Sequence, residues 1–254
     1  MAAIVTGSDS GIGKATAVAL ARRGHDIGIT YNRDEQGAKA TAEEVRSHAR
    51  RAEVRHLDLA RAEIIQPTID ELATALGGVD VLVNNAGTGA STPFLELELA
   101  EFRDVLEVDL TGAFLAAQAA ARRMVDAGAG GRIVNVTTVH EHVPLKGSTP
   151  YVIAKHGLGG LTKNMALELA AHAITVNSVA PGEIATPMTG QEDRDPRGEE
   201  RPGVPAGRPG DAREVAELIA HIASPEANYI TGVSHVIDGG MLLMAAQANQ
   251  LATA

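Results

Sequence analysis

The chain contains no cysteine and no tryptophan, and it has only three tyrosines and three phenylalanines among 254 residues. The absence of cysteine excludes disulfide bonds, thiolate metal ligands and cysteine nucleophiles. The scarcity of aromatic side chains means that the core must be built from Ala, Val, Leu and Ile. Apolar residues make up 44% of the chain, which is ordinary for a globular protein and sufficient for such a core.

Long apolar runs and positive charge are also in short supply. No segment approaches the run of about 18 apolar residues that a membrane-spanning helix needs. The first residues lack the basic start and apolar stretch of a secretory signal. Asp and Glu outnumber Lys and Arg by 32 to 22, and the resulting net charge of −10 disfavours nonspecific binding to nucleic acid or anionic membrane. We therefore expect a cytoplasmic protein with small-molecule ligands.

Short apolar segments alternate with longer amphipathic segments along the chain. This pattern predicts strands at 3–6, 26–31, 53–57, 79–84, 132–137, 174–179 and 234–237, and helices at 11–23, 34–50, 61–76, 99–127, 150–171 and 212–223. Strands separated by such helices form a parallel sheet that is covered on both faces. We therefore predict an α/β fold, a single doubly wound Rossmann-type domain over residues 1–254 with about seven strands.

Residues 188–210 interrupt this alternation, because they are rich in charge, proline and glycine. Strand and helix patterns resume after them, which indicates a long loop rather than a domain boundary. The loop follows the sixth predicted strand, and ligands bind beyond the carboxyl ends of strands in such sheets. We expect it to act as a lid over the substrate.

Glycines at positions 7, 11 and 13 follow the first predicted strand and open the first predicted helix. Glycine permits a tight turn and a close approach of the backbone to a pyrophosphate, and the helix N-terminus offers free N–H groups to it. The spacing differs from G-x-G-x-x-G, and taken alone it also fits an ordinary glycine-rich turn. Its place in the first strand–helix unit favours dinucleotide binding.

Tyr151 and Lys155 lie four residues apart on a predicted helix, so both side chains share one face. A phenol ordinarily has a pKa of about 10, and a nearby ammonium favours the phenolate. Such a pair can exchange a proton with a substrate oxygen near neutral pH. Taken alone, the spacing also fits a surface pair.

These motifs, in this order, resemble the short-chain dehydrogenase/reductase family over essentially the whole chain. The resemblance rests on TGxxxGIG at 6–13, Asp58, NNAG at 84–87, Tyr151-x-x-x-Lys155, Pro181-Gly182 with Ile184 and Thr186, and DGG at 238–240. It implies an NAD(P)(H)-dependent oxidoreductase that moves a hydride between nicotinamide and a carbonyl or secondary alcohol, with Tyr151 as general acid and base. The VHE and PGxIxTP segments are similar to the sugar-dehydrogenase and acetoin/diacetyl-reductase branches.

The resemblance also implies the site residues. The catalytic residues are Thr138, Tyr151, Lys155 and Asp109. Cofactor contacts are expected from Gly7, Ser10, Gly11, Ile12, Gly13, Asn32, Arg33, Asp58, Leu59, Asn85, Ala86, Gly87, Tyr151, Lys155, Pro181, Gly182, Ile184 and Thr186.

Two catalytic positions depart from the family pattern. Thr138 stands where the family usually has serine; its hydroxyl still donates a hydrogen bond, but its methyl group narrows the pocket. Asp109 stands where the family usually has the asparagine that holds a water in a proton relay behind the lysine. An ionised Asp109 accepts hydrogen bonds but does not donate them. Two roles therefore stay open for its side chain: an ion pair with Lys155, or a purely structural role in the helix.

The end of the second strand bears on the choice of nicotinamide cofactor. NAD sites place an acid there, but this window reads Ile-Thr-Tyr-Asn-Arg, and Asp34 is a candidate cap of the next helix. Arg33 is a candidate contact for a 2′-phosphate, although it also fits a solvated loop charge. Ser10 lacks the basic character often found there in NADP-preferring members. On balance the window favours NADP(H) over NAD(H).

Substrate contacts are expected after strands four to six. The candidates are Thr88, Thr138, His140, Glu141, His142, Lys146, Glu183 and Met188, of which Thr138, His140, Glu183 and Met188 are the principal ones. Glu183 would suit a hydroxylated or cationic substrate. We expect no metal at His140 to His142, because consecutive residues of an extended segment point in alternating directions.

The family resemblance implies a homotetramer with 222 symmetry, and small residues in helices 99–127 and 150–171 would permit close helix contacts. Two other functions stay open. An acyl-thioester ketoreductase would need a basic patch for its carrier, which this acidic chain hardly offers. A catalytically weak cofactor-binding sensor is suggested only by Thr138 and Asp109, and retention of Tyr151 and Lys155 opposes it.

Overall fold

The computed structural model describes residues 1–191 and 195–245. Its strands are β1 (Ala2–Val5), β2 (Asp26–Tyr31), β3 (Ala52–His56), β4 (Val81–Asn84), β5 (Gly131–Val136), β6 (Ile174–Pro181), β7 (Ile184–Ala185), β8 (Gly210–Asp211) and β9 (Ser234–Ile237). Its α-helices are α1 (Gly11–Arg22), α2 (Glu35–Ser47), α3 (Ala62–Leu76), α4 (Leu99–Leu106), α5 (Ala113–Ala127), α6 (Thr149–Leu169) and α7 (Ala212–Ile222). Among these described residues, no helix is both long and apolar enough to cross a bilayer.

Seven parallel strands form one sheet in the order β3-β2-β1-β4-β5-β6-β9, and β7 pairs with β8 separately. The strand order reverses after β3, because β4 returns to lie beside β1. Val5 therefore pairs with Ile29 on one side and with Val83 on the other. This confirms the doubly wound α/β fold, and it opens a crevice beyond the carboxyl ends of β1 and β4, where such sheets bind ligands.

Each face of the sheet carries its own apolar cluster. Leu20, Val45 and Ile219 belong to the cluster beneath α1, α2 and α7, whereas Leu72 and Met124 belong to the cluster beneath α3 and α5. The largest fully buried side chains are Ile, Leu and Met. The core thus uses aliphatic residues, as the lack of aromatic residues requires.

The helix predicted over 99–127 begins and ends at the expected residues, but it is not a regular α-helix throughout. A π-helical segment, Glu107–Gly112, separates α4 from α5. A π turn carries an extra residue and re-aims the side chains within it, which is why such turns are frequent at functional sites. Gly112 lets the segment approach β3, because a Cβ there would lie 2.7 Å from the Cβ of Leu59. Asp109, on this turn, is only 1% exposed.

The described parts of the predicted lid are irregular, apart from two short 3₁₀ turns and the start of β8; residues 192–194 lie outside the described residues. Near its end the loop rests on the turn that follows β9. The N–H of Ala206 donates to the carbonyl of Gly239 over 2.9 Å. A Cβ on Gly239 would lie 2.8 Å from the side chain of Val204, so glycine at this position lets the loop pack closely against the DGG turn.

Candidate active site

Helix α6 carries the predicted Tyr–Lys pair on one face. Its first turn contains Pro150, whose missing N–H costs nothing there. The ammonium of Lys155 lies 5.7 Å from the ring centroid of Tyr151. Tyr151 is partly exposed at the crevice, whereas Lys155 is 4% exposed. The geometry therefore leaves the phenol accessible to a substrate and places a buried positive charge behind it.

Two hydrogen bonds fix the start of α6 against the segment that follows β4. The hydroxyl of Ser148 donates to the carbonyl of Ala90 over 2.8 Å. The N–H of Thr92 donates to the carbonyl of Gly147 over 2.8 Å. Together they tie the loop just before Tyr151 to the loop that follows β4.

Lys155 forms a buried ion pair with Asp109 across 3.3 Å, and it also donates to the carbonyl of Val136 at 3.3 Å. The second carboxylate oxygen of Asp109 accepts the N–H of Thr88 over 2.6 Å. Gly87 passes directly over the pair, because a Cβ there would lie 3.2 Å from Asp109 and 3.3 Å from Lys155. The structure therefore brings Asp109 into direct contact with the lysine, as the charged-and-paired alternative requires.

Burial and charge act in opposite directions on this pair. Burial raises the pKa of Asp109 above its usual value, although the Lys155 charge and the Thr88 hydrogen bond oppose that change. For Lys155, burial disfavours the ammonium, but the carboxylate of Asp109 and the phenol of Tyr151 outweigh it and raise its pKa. The side chain is therefore held as a cation beside Tyr151.

Thr138 follows β5 and is 7% exposed. Its hydroxyl lies 3.5 Å from the carbonyl of Pro181, to which it donates, and 3.4 Å from the N–H of His140, which it accepts. Both distances are at the weak end for hydrogen bonds. The hydroxyl of Thr138 would therefore give up only weak hydrogen bonds when it donates to a substrate oxygen.

The glycine turn has the geometry that a pyrophosphate requires. Gly7 and Gly11 have φ of 59° and 52°, a region that L side chains rarely adopt. A Cβ on Gly13 would lie 2.1 Å from the carbonyl of Gly7. Ser10 caps α1 without a side-chain hydrogen bond, so its side chain leaves the first N–H groups of the helix to a ligand. These residues fit a dinucleotide phosphate.

Segments from two other strands meet this turn. The amide of Asn85 donates to the carbonyls of Thr6 and Gly7 at 3.0 and 2.8 Å, which joins the end of β4 to the turn. On the other side, a Cβ on Gly11 would lie 3.4 Å from Thr186. The predicted pyrophosphate and nicotinamide segments are thus adjacent in space.

The residues expected near the adenosine are divided in their roles. Leu59 is 5% exposed and packs on the π turn. Asp58 accepts the N–H of Ala60 at 3.0 Å with one carboxylate oxygen. Asn32 and Arg33 are exposed at the end of β2. Thus Asp58 and the two loop residues remain available to a cofactor, whereas Leu59 is a packing residue.

Asp34 is the cap of α2, because its carboxylate accepts the N–H of Gly37 at 2.8 Å. This agrees with the sequence-based alternative that Asp34 caps the helix. Asp9 is an acid inside the glycine turn that the sequence motifs did not single out, and its backbone carbonyl also faces Gly37. The signal was present, since Asp9 lies between the first two motif glycines, but the position alone did not show where its neighbours lie.

His140 and Glu141 lie in a 3₁₀ turn, Val139–Glu141, that ends at His142, so the extended segment assumed for them is wrong, although the two histidines have different partners. His140 pairs through Nδ1 with the carbonyl of Val143 at 3.2 Å, and His142 pairs through Nε2 with Ser234 at 3.1 Å. Glu141 is buried against Gly159 of α6. Within residues 1–191 and 195–245, no cluster of three or more His, Cys, Asp or Glu side chains could hold a metal ion.

Glu183 is engaged by the loop that follows it. One carboxylate oxygen accepts from Arg201 Nε at 2.7 Å and from Gln191 at 3.0 Å. Partial burial raises the pKa of Glu183, but these two hydrogen bonds prevail and lower it. The structure therefore ties this predicted substrate residue to the loop, and Arg201 is a partner that the sequence did not reveal. Met188 is 68% exposed on the same loop.

Comparison with known proteins identifies the family of the chain. A family model described as enoyl-(acyl carrier protein) reductase matches residues 6–242. The protein named "Uncharacterized oxidoreductase YohF" of Escherichia coli is 52% identical over 247 residues, which cover 97% of this chain and 98% of that protein. A 3-oxoacyl-[acyl-carrier-protein] reductase of Vibrio cholerae is 39% identical over 95% of this chain and 97% of its own length.

Solved structures agree with this. The crystal structure of acetoin dehydrogenase from Enterobacter cloacae superposes with a TM-score of 0.91 and 51% identity, over 97% of both chains. Sequence motifs, strand order and relatives all lead to one assignment. The chain belongs to the short-chain dehydrogenase/reductase family and is an NAD(P)-dependent oxidoreductase.

Proposed function

We propose that this enzyme interconverts a small, polar, uncharged carbonyl compound and its secondary alcohol, with hydroxy-ketones and 1,2-dicarbonyls of the acetoin and diacetyl type as its substrate class. The observation that carries the chemistry is the contact set of Tyr151, Lys155 and Asp109 beside the crevice. The substrate class is supported by the 51% identity to acetoin dehydrogenase. The cytoplasm, where nicotinamide nucleotides are available, is the expected location.

Each side chain has a defined part in this reaction. A nicotinamide held in the crevice would supply the chemistry of hydride transfer to or from the carbonyl carbon. During reduction, Tyr151 donates its phenolic proton to the substrate oxygen, and during oxidation the phenolate takes that proton back. Lys155 stabilises the phenolate and holds the nicotinamide ribose, while Thr138 donates a hydrogen bond to the substrate oxygen. Asp109 positions Lys155 from behind.

We propose NADP(H) as the favoured cofactor, held at its pyrophosphate by the 7–13 turn and at its 2′-phosphate by Arg33. In the described part of the chain, Arg33 forms no ion pair, whereas Lys14 and Lys39 on the neighbouring helices pair with Glu44 and Glu35. An unpaired exposed guanidinium is well suited to a phosphate.

The first test is a fluorescence titration with NADPH and NADH, followed by addition of diacetyl, acetoin, keto-sugars and an acetoacetyl thioester. We expect tighter binding of NADPH and oxidation of it by diacetyl or acetoin. Arg33→Ala should weaken NADPH binding about tenfold and leave NADH binding within twofold, because it removes one phosphate contact. Equal affinities that do not respond to Arg33→Ala would show that the cofactor preference is wrong, and no binding of either nucleotide would contradict the whole proposal.

An acyl-thioester ketoreductase is the second candidate, because the acyl-carrier reductase of Vibrio cholerae is a relative at 39% identity. Electrostatics oppose it, because the net charge of −10 disfavours association with an acidic carrier. In the same panel, acetoacetyl thioester turnover above that of diacetyl would favour this candidate. Turnover of neither, with intact nucleotide binding, would instead favour the cofactor-binding sensor.

We propose a homotetramer, because two faces carry exposed apolar side chains. Ile153 and Leu167 project from α6, and Val233 and Val236 lie on or beside the edge strand β9. Light scattering should give four times the chain mass of 26.3 kDa. Leu167→Glu, which places a charge on one face only, should give a dimer, whereas Gln66→Glu, which adds the same charge on the exposed surface of α3, should remain tetrameric. A monomeric wild-type protein would contradict the proposal.

A further inference from the structure

An acid within the glycine turn lies beside the expected 2′-phosphate position, at the carboxyl ends of β1 and β2. Asp9 follows Ser8, whose N–H donates to the carbonyl of Thr30 on β2 over 2.9 Å. The turn is therefore fastened to the strand whose end receives the adenosine ribose in this fold. The side chain of Asp9 is partly buried.

Asp9 and Asp34 converge on the first turn of α2. A Cβ on Gly37 would lie 2.4 Å from the carboxylate of Asp34 and 2.7 Å from the backbone carbonyl of Asp9. Glycine at position 37 thus lets the two acidic residues approach each other. Burial raises the pKa of Asp9, hydrogen bonds from its own backbone and from Ser10 oppose this, and the charge of Asp34 raises it further.

The acidic residues around this position work against the preference for a phosphate that Arg33 creates. Arg33 is the cation that the described residues leave without a partner here, because Lys14 and Lys39 are engaged by Glu44 and Glu35. Two acidic residues meet at Gly37 on the helix that follows this loop, Asp34 through its carboxylate and Asp9 through its backbone carbonyl. A 2′-phosphate brings about two further negative charges, whereas the ribose hydroxyls of NADH bring none and can donate to a carboxylate.

We propose that Asp9 is a residue that determines cofactor specificity, and that its carboxylate limits the preference for NADP(H) that Arg33 creates. This inference rests on the proposed function, since it requires a nicotinamide nucleotide at the turn. The inference goes beyond the proposed function because it predicts opposite effects for the charges of Asp9 and Arg33. Removal of the Asp9 charge raises the selectivity for NADPH, and removal of the Arg33 charge lowers it.

The test uses calorimetric titration of the whole enzyme, with NADPH, NADH and two fragments, adenosine 2′,5′-bisphosphate and adenosine 5′-monophosphate. Binding of the fragments reports the adenosine end without turnover. Asp9→Asn should tighten NADPH and the bisphosphate by on the order of tenfold, the size of one like-charge contact near a surface, and leave NADH and the monophosphate within twofold. Asp9→Ser, which is smaller, should act in the same direction.

Asp104→Asn on the exposed surface of α4 is the matched control and should change no affinity. Circular dichroism verifies the fold of each variant. The role of Asp9 would be overturned if both Asp9 variants left all four affinities unchanged. It would also be overturned if they changed the affinity for a ligand with the 2′-phosphate and for its counterpart without it by the same factor. Loss of binding of all four ligands to the wild-type enzyme would instead overturn the proposed function, so the two failures are distinguishable.

Discussion

Tyr151→Phe should lower turnover by about 10²- to 10⁴-fold, the usual contribution of a positioned general acid or base. The substitution removes only the phenolic oxygen. The ring that lies 5.7 Å from the Lys155 ammonium remains, so the helix and the cation keep their places. The proton that must reach the substrate oxygen then has no donor on the protein at that position. The rate of NADPH oxidation by diacetyl, measured at saturating cofactor, checks this.

The same variant separates an enzyme from a cofactor-binding sensor. NADPH affinity should stay within about threefold of wild type, because the glycine turn and Lys155 are unaltered. Tyr229→Phe is the control, since Tyr229 is fully exposed and should be neutral. A Tyr151→Phe enzyme that retains more than a tenth of the wild-type kcat would show that another group transfers the proton.

The sheet and its helices were predictable because each rests on a local pattern. Buried parallel strands appear in the sequence as continuous apolar runs, and the glycines at 7, 11 and 13 predict the turn between β1 and α1. Tyr151 and Lys155 also follow from local geometry, since residues four apart on a helix share a face. All of these depend on neighbours in sequence, which a single chain displays.

The parts that escaped prediction depend on contacts between distant segments. The π turn at Glu107–Gly112 looks helical in sequence, and only the approach of Leu59 to Gly112 gives a reason for it. The pairing of Glu183 with Arg201 spans a loop whose path no local pattern fixes. Asp9 was visible as a residue, but its proximity to Asp34 arises from the parallel pairing of β1 and β2.

Breaking the ion pair between Asp109 and Lys155 should be costly in both stability and activity. Asp109→Leu leaves a 4% exposed ammonium without its carboxylate, and loss of one partner of a buried pair destabilises a protein by about 3–5 kcal/mol. Lys155→Met should destabilise the protein by a similar amount, because it leaves the buried carboxylate of Asp109 without its ammonium partner. The double variant should recover much of that loss, because it leaves no buried charge.

Catalytic activity should not recover in the double variant, even though its stability does. All three variants should be nearly inactive, since each removes or displaces the cation beside Tyr151. Urea unfolding gives the stabilities and NADPH oxidation gives the rates. A double variant that regained stability and rate together would mean that the pair serves folding alone.

Asp109→Asn tests how the charge of the pair acts on the chemistry. Asparagine keeps an oxygen for the N–H of Thr88, which now bonds over 2.6 Å, and removes one negative charge 3.3 Å from the ammonium. The positive charge of Lys155 then acts on Tyr151 without that offset and favours the phenolate more strongly. The pH–rate profile for alcohol oxidation should therefore move to lower pH.

The reverse reaction should respond in the same direction, because carbonyl reduction needs the protonated phenol and would lose rate at a lower pH than in the wild type. Rates in both directions across pH 5–10, compared with Asp104→Asn, give the two midpoints. Burial raises the pKa of Asp109, which works against its charge, while Lys155 and Thr88 favour the carboxylate. A coincident shift of both midpoints would establish that Asp109 is ionised in the working enzyme, whereas unmoved midpoints would mean that it already carries a proton and acts through its hydrogen bonds.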